Sequence, residues 1–221
     1  MILGGGKRLT QYQMEASDWL EYTMKDSCDR KDYYKEYLEL SETWMKQKAG
    51  IAKLELERLD KVCADEFAEL GDVNEYERRK LDVLENVNPQ ILLDSSFLMI
   101  YISLEEQLRD VCKGIYLADD DMDIPRYGSN IIESYYSIIK RFGDFSSLDS
   151  IWDKVLQFRD LRNGIVHNKF PKPLITRQIV LDLNEAVWEL IWGIYKLVDL
   201  PDNLPPKALL KPIKKPKKKK K

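Results

Sequence analysis

At 221 residues, 44% of them hydrophobic and 33% charged, with a mean hydropathy of -0.45, the chain has material for one or two cored domains and reads as soluble. Its net charge of -3 hides a division: the last 21 residues hold nine lysines and one aspartate, net +8, so the body to Leu200 carries 26 basic against 37 acidic side chains, net -11. Cys28, Cys63 and Cys112 lie far apart without metal or redox spacing, which predicts reduced thiols in a cytoplasmic protein and no metal centre.

The start, MILGGGKRLT, lacks the charged lead and apolar run of a signal peptide. Gly4 to Gly6 before Lys7 do not complete a phosphate loop, which needs G-x-x-x-x-G-K-[ST] between a strand and a helix. Over residues 10–87 a charged helical arm is expected. Tyr34, Leu38, Met45, Ala52, Leu56, Leu59, Cys63, Phe67 and Leu70 recur at three, four and seven, the pattern of a long helix packed on one side. Interruptions are expected at 26–30 and 71–74. A second stripe, Tyr33, Tyr37, Leu40, Trp44, Ile51 and Leu54, widens the apolar face. Either the arm mediates dimerisation or partner binding, or it is a hairpin packed on its own chain.

Asn88-Pro89 marks a boundary, because a residue before proline is biased away from helix. A strongly apolar helix follows over 91–116, with Tyr101, Glu105 and Leu108 along one face. Glu105 sits among apolar neighbours and needs a cation, unless it is solvated beside Glu106. The acidic run 119–123 fails the calcium-loop pattern, with Ile124 at the sixth position and Asn130 at the twelfth, and reads as an exposed loop. The next helix covers 127–142 and closes at Gly143. Asp149 or Ser147 is placed to cap the one after it.

That helix carries Leu148, Ile151, Trp152, Val155 and Phe158 at helical spacing, and the next position on the stripe is Arg162. A guanidinium stands where a leucine is expected, and it needs a partner there. Five residues on comes His167, the single histidine of the chain, with Gly164 between. Arg162 and His167 are about 140° apart on an ideal helix, unless Gly164 lets the turn distort, while Asn163 and His167 share a face. Pro171 and Pro173 end the helix. A last apolar helix over 176–200 includes the longest apolar run, 187–200, which Glu189 and Lys196 interrupt and which is too short to span a bilayer of about 30 Å. Periodicity throughout predicts an all-α fold with no strand, and the block of lysines from 201 to 221 predicts a disordered tail.

Arg162-Asn163-Gly164-Ile165-Val166-His167 resembles the R-x4-6-H signature of the HEPN superfamily, and Tyr101, Leu104, Glu105 and Leu108 resemble its first-helix pattern. The resemblance implies a HEPN-like four-helix bundle over 88–200 and says nothing of 1–87, so the expected domains are the charged helical arm over 1–87, this bundle over 88–200 and the lysine-rich tail over 201–221. It implies a metal-independent endoribonuclease without cofactor, with Arg162 on the scissile phosphate, His167 in acid/base chemistry, Asn163 orienting one of them, and Glu105, Arg159 and Asp160 in support. One histidine cannot be both acid and base, so a homodimer is expected, acting on RNA as a toxin or abortive-infection effector, with a further protein that inhibits or activates it. The alternative is a non-catalytic helical module that binds a protein or a nucleotide, which the acidic body favours.

Overall fold

The computed structural model describes residues 11–63, 70–116, 124, 128, 130–167 and 173–198. The described residues are helical with no strand, as the periodicity requires. Six α-helices follow one another: α1 (Gln11–Cys63), α2 (Leu70–Asp82), α3 (Asn88–Tyr116), α4 (Ile131–Ile139), α5 (Asp149–Val166) and α6 (Arg177–Val198). The glycine run at the start, the acidic run 119–123 and the lysine tail lie outside the described residues.

Three expected breaks are absent, and one of them, 71–74, lies inside α2. Residues 26–30 stay inside α1, where Arg30 Nε and Asp26 Oδ2, 2.8 Å apart, form an i,i+4 pair that supports the helix instead of ending it. Asn88 is helical (φ -62°, ψ -38°), and its N–H donates to the Val83 carbonyl five residues back. The turn Val83–Val87 is thus widened to a π-turn just before Pro89. Widening relieves the clash between a proline ring and the carbonyl of the preceding turn, so α2 and α3 continue through the proline.

The described residues group into two compact units. One comprises the chain to Lys31, Ile100–Asp160 and the chain from Leu183; the other comprises Asp32–Met99 and Leu161–Asp182. In the first unit, α3 is apolar enough to serve as a central helix: Ile100, Tyr101, Leu104, Leu108, Val111, Cys112 and Ile115 are all buried. Leu20 and Met24 of α1, Ile132, Tyr135 and Ile139 of α4, Trp152, Val155 and Phe158 of α5, and Leu183, Leu190 and Ile194 of α6 complete that core. Small residues set the close approaches. A Cβ on Gly114 would lie 2.5 Å from Trp19 Cδ1, and the same indole donates through Nε1 to the Asp110 carbonyl at 2.9 Å. Lys31 of α1 places its ammonium 3.9 Å from the centre of the Trp188 ring and 2.8 Å from Glu185 Oε2, a half-buried cation held by ring and carboxylate together.

In the second unit, Ala49 and Ala52 of α1 pack with Leu84 and Leu81, and Lys53 bridges to Glu85 at 2.6 Å. Nearer the start of α3, Gln90 donates to the Ile175 carbonyl at 3.2 Å and ties the segment before α6 in place. Among the described residues, the helix Val73–Ile115 is the one long and apolar enough to cross a membrane by length and composition, and 44% of its most apolar window is buried inside the fold.

Tyr135 and Tyr136 give the first unit a dependence on alkaline pH. Burial pushes both phenols up to about 12, above the ordinary value of about 10. The folded chain therefore holds protons that the unfolded chain releases. Stability from these groups is intact below about pH 10 and is lost as pH rises from about 10 towards about 12. Urea midpoints measured across that window should fall as tyrosinate absorbance rises, and Tyr136→Phe should flatten the decline.

Candidate functional site

The helix that carries the Arg–His segment begins from a 3-10 turn, Ser146–Leu148. Neither Asp149 nor Ser147 caps it; Asp144 Oδ1 accepts the Ser146 N–H at 2.9 Å, one turn earlier than the expected cap. From there Trp152, Val155 and Phe158 point into the core, and Trp152 stacks on Tyr136 with ring centres 4.1 Å apart. The stripe ends where polar residues begin.

Arg159 is the first of these. Its guanidinium pairs with the Glu133 carboxylate and lies 3.7 Å from Asp160 Oδ1; Asp160 itself is largely exposed. Glu133 was not singled out by sequence reasoning, yet the signal was there. It is the one acid in the apolar run Ile131–Ile139, and such an acid needs a cation, as was argued for Glu105. Around it, Tyr135 lies in the combined field of Arg109, Glu105 and Asp110. Glu105 is half-buried on α3. Glu105 and Arg109 of α3, Glu133 and Tyr135 of α4 and Arg159 of α5 all belong to the first unit.

Arg162, Asn163 and His167 belong to the second unit. Arg162 is half-buried, and its Nη1 donates to Asn163 Oδ1 at 3.2 Å. Of the two orienting roles open to Asn163, the contact present is the one with arginine. Gly164 does not distort the turn: the His167 N–H donates to the Asn163 carbonyl at 3.1 Å, the regular i,i−4 bond. Arg162 and His167 therefore keep the roughly 140° of an undistorted helix, one half-buried and the other exposed. The glycine has another purpose, since a Cβ there would lie 2.8 Å from Pro173 Cγ and 2.9 Å from Cδ. It lets the returning chain cross the helix directly behind the segment.

Gly164→Ala separates these two accounts. Alanine gains roughly 1 kcal/mol of helix propensity, but its methyl group meets a rigid ring. A net loss of about 1–3 kcal/mol is expected from overpacking, read as a lower urea midpoint; a gain in stability would mean that Pro173 yields freely.

Chemically, the segment presents a guanidinium suited to bidentate contact with a phosphate and an exposed imidazole able to donate or accept a proton. No group of three or more His, Cys, Asp or Glu side chains is placed to hold a metal ion among the described residues. Compared with protein-family models, with curated proteins and with solved structures, the chain finds no match in any of the three.

Proposed function

We propose that residues 88–200 form a HEPN-like bundle and that the chain is a cytoplasmic, metal-independent endoribonuclease working as a homodimer, as a toxin or abortive-infection effector. The observation that carries this reading is the pairing of Arg162 with Asn163 one helical turn before an exposed histidine. Arg162 binds the scissile phosphate through its fork, with Asn163 fixing the plane of the guanidinium. One imidazole takes the proton of the ribose 2′-hydroxyl, the 2′-oxygen attacks phosphorus, and the bond to the 5′-oxygen breaks. A second imidazole protonates that leaving oxygen. A single histidine per chain means the second imidazole comes from a second copy. Glu105, Arg159 and Asp160 keep the supporting roles that the resemblance gives them.

The test is to incubate purified wild type and Arg162→Ala with total RNA and with tRNA in EDTA and to map the ends. Cuts ending in 2′,3′-cyclic phosphate that vanish in the variant support the reading. Wild type that cuts nothing, or a variant that cuts equally, removes it. A second reading, a non-catalytic helical module, is favoured by one specific observation, a line of large apolar side chains left exposed along α1.

A further inference from the structure

The two apolar stripes of α1 are not one wide face. Leu38, Met45, Ala52 and Leu59 are buried, together with Ala49 and Leu56. Tyr33, Tyr37, Leu40, Trp44, Ile51 and Leu54 are exposed, Leu40 at 69% and Trp44 at 53%. At about 100° per residue the two lines lie about 125° apart, on different sides of the helix. The exposed line advances by four and three, interrupted once by Gln47, which is the 3.5-residue period of a helix that winds on another helix.

We propose that this line is the interface with a second copy of the same chain. Two observations support that occupant. The first is area. At roughly 200 Å² for each fully exposed large side chain, the six leave on the order of 700 Å² of contiguous apolar surface, and two copies together approach the ~1,600 Å² of a stable interface. The second is shape, since Tyr37, Leu40 and Trp44 with Leu92 of α3 border an open groove of about 590 Å³, a hole for a knob from the other helix.

The line and the Arg162–His167 segment belong to the same unit, but the inference does not depend on the nuclease reading.

The experiment is sedimentation of the full chain over a concentration series. Wild type is expected as a dimer, and Leu40→Glu/Trp44→Glu as a monomer with unchanged far-ultraviolet circular dichroism and a dissociation constant raised by at least about 100-fold. A wild type that stays monomeric overturns the inference and leaves the line to a different protein. Stripe variants that still dimerise overturn it too. A dimer that cuts no RNA removes the nuclease reading alone.

Discussion

Replacing His167 with alanine should lower metal-independent RNA cleavage by about 10²–10⁴-fold, the usual worth of a proton-transferring group, while the fold is unchanged. The side chain is exposed, so its loss opens no cavity. Arg162→Lys should also fall well below wild type although the charge is kept, because an ammonium lacks the planar fork that spans two phosphate oxygens and reaches Asn163. Concentration supplies a third check. If each active centre needs an imidazole from two chains, the rate should fall with the square of protein concentration once most of the dimer has dissociated. Cleavage by His167→Ala at the wild-type rate would end the proposal, and a strictly linear dependence at every dilution would remove the shared centre.

The largest effect on stability is expected at the centre of α3. Leu104 is fully buried in the first unit and Leu40 is 69% exposed on α1, so the same substitution at the two sites separates core packing from surface. Leu104→Ala should cost about 2–5 kcal/mol, combining lost transfer energy with the cavity that its neighbours do not fill. Leu40→Ala should change the unfolding free energy of dilute, monomeric protein by less than about 0.5 kcal/mol. At high concentration, Leu40→Ala should lower the midpoint through the dimer alone. Urea unfolding at two protein concentrations measures all three quantities. Equal costs at both sites in dilute protein would mean that α1 is covered within a single chain.

Much of this architecture was legible before any coordinates. Helical spacing places Trp152, Val155 and Phe158 inward and ends that stripe at Arg162, since period and burial are linked in an amphipathic helix. Chain breaks were less legible. Pro89 predicts an end because the local clash is real, but a π-turn accommodates it, and only the packed chain shows that solution. Gly164 illustrates the same limit. Its small size reads as flexibility along the chain, whereas the atom that demands a glycine belongs to Pro173, nine residues away and brought back by the fold.

What the sequence by itself determined is therefore the all-α class, the inward stripes and the chemical exceptions: Arg162, Asn163 and His167 on one helix, and acids within apolar runs. These follow from periodicity and from the cost of burying charge, which are properties of short stretches. Only the tertiary structure decided the partners. It gave Arg159 to Glu133, Asn163 to Arg162 and Pro173 to Gly164, and it divided the two stripes of α1 into a covered and an uncovered side. The physical reason is that pairing and covering depend on which surfaces meet. Segments far apart in the chain settle that together, and no local pattern encodes it.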